Sequence, residues 1–305
     1  MNLRQLHYFR VLAKDEHITQ AAAKLNITQP SLSHAISELE KELGTYLFEK
    51  QGRNIRLTKY GRFYLDYVNR ALDELEKGEK NLRELINPSS GRVDLSFIYT
   101  LGPHFVPKMI EAFSSQEEYK NISFSFSQGN TKNILQNLKD EKCDLAFCSM
   151  VENEPDIDFV PIVEQEIVVI VPPNHPLAVY DQIDLCQTAE FPFVYFNKES
   201  GIRPIIDSLF MKAGITPTIT CEVEEDNTMA GLVSVNYGIA IMPRIHSLKD
   251  YNVKVLSIEK PAHQRFIYIA SVKNRYLSPA TCQFRNFAIS YAKENFLSKG
   301  NVLHE

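Results

Sequence analysis

The chain contains no tryptophan. It also contains no apolar stretch of 18 residues or more, which argues against a membrane span. Its first residues, MNLRQLHYFR, are polar and amphipathic, so we expect no secretory signal and a cytoplasmic protein. Five scattered cysteines predict reduced thiols rather than a disulfide framework. Hydrolase, zinc-protease, phosphate-loop and dinucleotide motifs are also missing. We therefore expect no enzyme, metal site or cofactor.

Positive charge is concentrated at the N-terminus. The chain of 305 residues carries a net charge of −5 and is long enough for two or three domains. Residues 1–60 hold 9 Lys and Arg against 6 Asp and Glu, a net of +3, which leaves −8 for the remainder. This segregation is typical of a small DNA-reading head on an acidic body.

The spacing of apolar residues predicts three short helices in the first 43 residues. Leucine and phenylalanine recur at helical intervals over residues 3–14. Thr19 is a suitable N-cap for an alanine-rich helix over residues 20–25. After a three-residue turn, Thr28 can cap a third helix, and Pro30 fits in its first turn.

The third helix has an apolar and a polar face. The apolar stripe consists of Leu32, Ile36, Leu39 and Leu43. The opposite face carries Gln29, Ser31, Ser33, His34, Ser37 and Lys41. Two helices joined by a tight turn, the second with a polar face, fit a helix-turn-helix whose second helix reads bases. Periodicity alone leaves a plain scaffold hairpin as the alternative.

A basic hairpin follows the third helix. Residues 44–58 alternate around a Gln51-Gly52 turn, and Lys50, Arg53 and Arg56 lie near its tip. A basic hairpin directly after a recognition helix predicts a wing that reaches neighbouring phosphates or the adjacent groove.

These residues together resemble the LysR-type transcriptional regulators. The match covers residues 1–61 and includes Leu6-x-x-Phe9, Ala21-Ala22-x-x-Leu25, Thr28-Gln29-Pro30-Ser31-Leu32-Ser33, Ile36-x-x-Leu39-Glu40, Leu43-Gly44-x-x-Leu47-Phe48 and Leu57-Thr58-x-x-Gly61. The resemblance implies a sequence-specific DNA-binding regulator. The candidate DNA-contacting residues are Thr19, Thr28, Gln29, Pro30, Ser31, Ser33, His34, Ser37 and Arg53. His34 departs from the family pattern, where Arg or Lys is usual, so its contact is weaker or differently directed.

A long helix is expected to connect the winged head, residues 1–60, to the remainder of the chain. Residues 60–86 contain no proline, and leucine and valine follow a coiled-coil-like alternation. We interpret 61–88 as a linker and dimerisation helix, although a helix packed on its own domain would show a similar pattern. A homodimer or homotetramer would present two heads to a pseudo-palindromic duplex.

Beyond residue 88 the pattern changes to alternating short strands and helices, typical of an α/β sheet with parallel strands. We assign residues 89–305 to an effector-binding domain. The family resemblance implies two lobes like those of type 2 periplasmic binding proteins. Lobe I would comprise about 92–161 and 268–295, and lobe II about 162–267.

Junctions between strands and helices are where a small-molecule effector would bind. The candidates are Thr100, Gln128, Asn130, Thr131, Ser200, Arg203, Asn227 and Thr228. Their hydroxyls serve equally well as simple helix caps, and Arg203 as a surface charge. An enzyme or a transport binding protein on the same two-lobed fold remains an alternative, but neither explains the N-terminal sixty residues.

Overall fold

The computed structural model describes residues 1–52, 54–297 and 302–303, which divide into two compact units, Met1–Glu84 and Leu85–Glu305. Arg53, the predicted wing contact, lies outside the described residues. The elements of the first unit are α1 (Leu3–Asp15), α2 (Ile18–Lys24), α3 (Gln29–Leu43), β1 (Phe48–Gln51), β2 (Asn54–Leu57) and α4 (Lys59–Leu85).

The head is a three-helix core closed by the hairpin. Phe9, Leu12, Leu32 and Leu39 are almost fully buried there, as the apolar periodicity of α1 and α3 predicts. Phe48 pairs with Leu57 in the antiparallel hairpin, and Gly52 adopts a positive φ of 62° at its turn. The head therefore has the predicted winged helix-turn-helix order.

The start of α2 differs from the prediction. The N-cap is His17, whose Nδ1 accepts from the backbone N–H of Gln20 at 3.4 Å, so Thr19 lies inside the helix. Thr19 as an N-cap is therefore wrong. Imidazole nitrogen can replace a hydroxyl as the cap acceptor, and the helix thereby begins two residues earlier than predicted.

Helix α4 changes character along its length. Val68 and Leu72 are 3% and 7% exposed and belong to the core of the head. Leu75, Leu82 and Leu85 are 47%, 58% and 51% exposed. The first half of the predicted seam is thus packed on its own domain, and the second half leaves a row of apolar side chains about half exposed.

The second unit contains lobe I and lobe II. Lobe I is built on a sheet with strand order β14-β6-β13-β5-β3-β4. Its elements are β3 (Arg92–Ile98), α5 (Phe105–Ser114), β4 (Ser123–Gly129), α6 (Thr131–Lys139), β5 (Leu145–Cys148), β6 (Ile157–Gln165), β13 (Phe266–Val272), α9 (Pro279–Ala292) and β14 (Val302–Leu303).

Lobe II contains a sheet of order β11-β7-β12-β8 and the strand pair β10-β9. Its elements are β7 (Ile167–Val171), β8 (Gln182–Asp184), β9 (Pro192–Phe196), α7 (Arg203–Ala213), β10 (Thr218–Val223), α8 (Asp226–Ser234), β11 (Ala240–Pro243) and β12 (Lys254–Lys260). The chain crosses between lobes after β6 and again before β13, so the sheet of lobe I extends beyond residue 161.

The sheets are mixed rather than parallel throughout, which corrects the sequence expectation. β3 pairs in parallel with β4 and β5, but β13 is antiparallel to both β5 and β6. The physical reason is that β6 leaves lobe I at the first crossing and β13 returns to it at the second, so no crossover helix within lobe I joins the two strands. The parallel part, β4-β3-β5, brings the carboxyl ends of three strands to one edge of the sheet.

Candidate functional site

Helix α3 presents a polar face to solvent. Gln29, Pro30, Ser31, Ser33, His34 and Ser37 are all exposed, as are Thr19 and Thr28. Thr28 caps the helix, since its Oγ1 accepts from the backbone N–H of Ser31 at 3.3 Å. The two residues also share a hydroxyl contact of 2.8 Å. The helix start, where unpaired N–H groups attract phosphate, is therefore capped and accessible.

A second contact links the two helices of the motif. The Thr19 hydroxyl donates to Gln29 Oε1 at 3.4 Å, which leaves the amide NH₂ of Gln29 directed away as a donor. On the wing, Arg56 pairs with Glu49 at 2.6 Å, whereas Lys50 is exposed. The exposed face of α3 thus offers hydroxyls, an amide and an imidazole. The positive charge of Lys50 lies on the wing.

The second candidate site lies between lobe I and lobe II. It is a small cavity at the strand ends, lined by residues that follow β3, β4 and β5 and by residues that follow β9 and β10. From lobe I come Thr100, Asn130, Thr131 and Ser149; from lobe II come Ser200, Gly201, Glu224 and Asp226; Arg265 lies at the second crossing.

Arg265 and Asp226 place opposite charges in the wall of this cavity. Arg265 is 3% exposed, and burial lowers its pKa to about 10, so the guanidinium stays protonated at neutral pH. Asp226 is 7% exposed, and burial raises its pKa, opposed by a hydrogen bond from Thr100 and by the charge of Arg265. The cavity therefore has a cationic and an acidic side.

Two buried donors on the cationic side lack acceptors among the described residues. Arg265 donates to Gln165 Oε1 and, at 3.3 Å, to Ser149 Oγ. Within the described residues its Nε and the buried Oγ1 of Thr131 have no hydrogen-bond partner. Both residues line the cavity, and helix α6 begins at Thr131. Buried donors of this kind are costly unless a ligand or water satisfies them. An anionic group is the ligand that this side would hold.

Polar contacts join the lobes around the cavity. Thr100 of lobe I donates to Asp226 of lobe II at 2.6 Å. Asn130 caps α6 and also donates to Glu224 at 3.1 Å, while Lys132 pairs with Glu199 at 2.8 Å. These contacts hold the lobes in a closed arrangement.

The closed arrangement leaves little room at the centre. The cavity has a volume of about 30 Å³, enough for about one or two water molecules. It shares Thr131, Ser149, Ser200, Gly201 and Arg265 with a larger groove of about 820 Å³. On the acidic side it adjoins a space of about 230 Å³ that Gln128 and Asn227 help to line. A ligand of ordinary size therefore needs the lobes to separate slightly or extends into these spaces.

The structure brings most of the predicted effector residues together. Thr100, Asn130, Thr131 and Ser200 line the central cavity, and Gln128 and Asn227 line the adjoining space. Arg203 instead donates to Phe196 O, Asp207 and Glu222 within lobe II and stacks on Tyr195. It thereby braces α7 and does not line the cavity, and neither does Thr228.

The predicted effector residues include neither Arg265 nor Asp226. Asp226 directly precedes the predicted Asn227 and Thr228 at the same junction, and Arg265 lies in a loop-like stretch before β13 that carries no motif. The signal that could have suggested these two residues is a charge at a crossing between the lobes, as for Arg265, or after the end of a strand, as for Asp226. Their burial, which gives them their significance, is a tertiary property.

Two family models match the chain. Residues 3–62 match "Bacterial regulatory helix-turn-helix protein, lysR family", and residues 87–293 match "LysR substrate binding domain". The uncharacterized HTH-type transcriptional regulator YybE of Bacillus subtilis is 38% identical over 294 residues, which cover 96% of this chain and 100% of YybE. The transcriptional dual regulator GltC of the same organism is 32% identical, covering 95% and 97% respectively.

A solved structure matches part of this chain at a higher sequence identity. The effector binding domain of QuiR in complex with shikimate is 58% identical and has a TM-score of 0.68. The match covers 68% of this chain and 100% of that chain. Among the described residues, no helix is both long and apolar enough to cross a membrane.

Proposed function

We propose an effector and a binding mode for this chain, which belongs to the LysR family of bacterial helix-turn-helix transcriptional regulators. It is a DNA-binding regulator controlled by a small molecule that binds between its two α/β lobes. The effector is a hydroxylated ring monocarboxylate of the shikimate type. Its carboxylate is held by Arg265 and Thr131, and its binding requires no catalytic step.

The buried guanidinium carries this proposal. A ligand carboxylate in the cavity would accept from Arg265 Nε and Thr131 Oγ1, the two buried donors without partners. Because Arg265 is charged and desolvated, its hydrogen bonds to a carboxylate are of the strong, charge-assisted type. The complex of QuiR with shikimate, at 58% identity, supports the same ligand class for this chain.

Isothermal titration of the full-length protein with shikimate tests the effector. We expect saturable binding to the wild type and a loss of at least about 30-fold in affinity for Arg265→Gln, since truncating one partner of a buried charge pair costs about 2–5 kcal/mol. Arg285→Gln is the matched control, because Arg285 pairs with Asp158 at 2.7 Å away from the cavity. Equal affinity of the two variants would contradict the assignment.

For the head we propose that α3 enters the major groove and that Gln29, Ser33 and His34 face base edges. Thr28, Ser31 and the wing would then contact phosphates. The exposed apolar row of α4 supports a homodimer, or a pair of dimers, that places two heads on a pseudo-palindromic site. We place the protein in the cytoplasm, where that DNA is accessible.

Gel-shift titrations against a panel of half-site sequences test the docking. We expect Ser33→Ala and His34→Ala to change the base preference, whereas Lys50→Ala weakens binding to all sequences and lowers its salt dependence. Ser115→Ala, a change outside the head, is the control. An unchanged preference in both α3 variants would refute this docking mode.

A further inference from the structure

The cavity has Arg265 on its cationic side and Asp226 on its acidic side. In the proposed binding mode Arg265 holds the ligand carboxylate, and Asp226 has no role in doing so. Asp226 is the first residue of α8, and its Oδ2 accepts a hydrogen bond of 2.6 Å from Thr100. It lines both the central cavity and the adjoining space that extends towards Gln128 and Asn227. Arg265 lines the central cavity and the larger groove but not that adjoining space. A ligand anchored on Arg265 would therefore direct its far end towards Asp226.

The state of Asp226 indicates which group it would bind. A carboxylate has about four lone-pair directions, so the bond from Thr100 leaves room for further donors. Burial raises the pKa of Asp226, which means that the ionised form is poorly stabilised and gains from each additional hydrogen-bond donor. The start of α8 favours a negative charge at this position. A second ligand carboxylate would meet a like charge in a desolvated wall, and an unsubstituted ring would leave Asp226 unsatisfied.

We propose that Asp226 is a specificity-determining residue of the cavity: it accepts hydrogen bonds from ligand hydroxyls remote from the ligand carboxylate, and so selects hydroxylated monocarboxylates over ring acids without hydroxyls and over dicarboxylates. The inference rests on the proposed function, since it needs the carboxylate to occupy the Arg265 side. It adds an orientation to that function, because the hydroxyl-bearing edge of the ring points to lobe II and thus bridges the two lobes.

The neighbouring acid does not substitute for Asp226. Glu224 is exposed and already accepts a hydrogen bond from Asn130 at 3.1 Å. A hydrogen bond from a ligand hydroxyl to Glu224 would therefore add little to the free energy of binding. Asp226 is both more deeply buried and joined to lobe I through Thr100. Selection by hydroxyl groups therefore depends on Asp226.

Calorimetric titration of the full-length protein with three acids tests the inference: shikimate, cyclohexene-1-carboxylate, which lacks the hydroxyls, and cyclohexane-1,4-dicarboxylate. We expect the wild type to bind shikimate about 10- to 100-fold more tightly than cyclohexene-1-carboxylate, as a bond to a charged group implies. In Asp226→Asn this ratio falls about tenfold, and the dicarboxylate binds more tightly than to the wild type.

Two further variants separate recognition from folding. Asparagine keeps the shape of Asp226 and an acceptor for Thr100, and a ratio measured within one variant is independent of its stability. Thr100→Val removes the interlobe bond but keeps the carboxylate, so the ratio should not fall, because Asp226 then depends more on the ligand hydroxyls. Glu190→Gln removes an exposed charge of lobe II and should leave all three affinities unchanged.

The outcomes are distinguishable. If the wild type binds shikimate and Asp226→Asn retains the same ratio within about twofold, the role of Asp226 is refuted while the proposed function stands. If the wild type prefers cyclohexene-1-carboxylate or the dicarboxylate to shikimate, or binds none of the three acids, both are refuted. A ratio that falls equally in Thr100→Val and Asp226→Asn would assign selectivity to the geometry of closure instead.

Discussion

A single added methyl group at Gly201 should push the two lobes apart. A Cβ built on Gly201 of lobe II would lie 2.4 Å from Thr131 Oγ1, 2.8 Å from Ser149 Cβ and 2.9 Å from Thr131 Cβ. Rotation of the Thr131 side chain can relieve the first of these contacts. The other two involve Cβ atoms, which move only with the backbone of lobe I.

The magnitude follows from these distances. Ordinary contact begins at about 3.4 Å, so Gly201→Ala requires the lobes to separate by roughly 0.5 Å at this point. Inserting a methyl group into a well-packed interior costs about 1–3 kcal/mol. For a unit of this size, 1 kcal/mol corresponds to about 2–4 °C in Tm. We therefore expect the unfolding transition of the second unit to fall by about 2–12 °C in scanning calorimetry of the full-length protein.

Gly231→Ala is a matched control with the opposite sign. Gly231 lies inside α8 of the same lobe, and the nearest atom to its added Cβ is Tyr251 Cε1 at 3.9 Å, an ordinary contact. Alanine in a helix interior is more stable than glycine by about 0.5–1 kcal/mol, so Tm should rise by about 1–4 °C. A fall for both variants, or no change for Gly201→Ala, would refute the close contact between the lobes.

Two further predictions concern stability. Thr28→Ala removes the cap of α3 and should lower the free energy of unfolding of the head by about 1 kcal/mol in urea titration, whereas Thr19→Ala, inside α2, should cost less. The ring of His246 lies 4.6 Å from that of His104, and burial followed by the charge of Lys249 lowers its pKa. The neutral form is thus favoured on folding, so stability is present above the ordinary pKa of 6.5 and is lost as pH falls through the lowered value. His246→Gln should reduce this loss in thermal melts between about pH 7.5 and pH 5.5, and an unchanged slope would contradict it.

Most elements of the head could be predicted from sequence, because its helices, cap and turn depend on residues close together in the chain. Apolar residues recur at helical spacing within α1 and α3, and Thr28 and Gly52 stand where a cap and a turn need them. The start of α2 was missed because His17, a less common cap than threonine, supplies the acceptor. Along α4 the sequence shows one continuous row of apolar residues. Its division into a buried and an exposed half depends on tertiary packing, which the sequence pattern does not show.

The alternation of strands and helices in the two lobes was predicted from sequence, but the pairing of the strands was not. Periodicity identifies a strand, whereas its partner and direction depend on contacts far apart in the sequence, as between β13 and β5. The nine-residue β6 was not predicted at all. Its pattern is irregular, with Pro161 exposed in its middle and a register shift opposite that position.

At the effector site, the hydroxyl and amide groups that follow the strands were predictable from sequence, because strand ends and helix starts are local features. Thr100, Asn130, Thr131 and Ser200 were found in this way. Which charged residues line the cavity depends on tertiary packing. Arg203 is hydrogen-bonded to residues of its own lobe. Arg265 and Asp226, which are distant in sequence, line the same cavity. Burial gives these two their chemistry, and burial is set by how the two lobes close on each other.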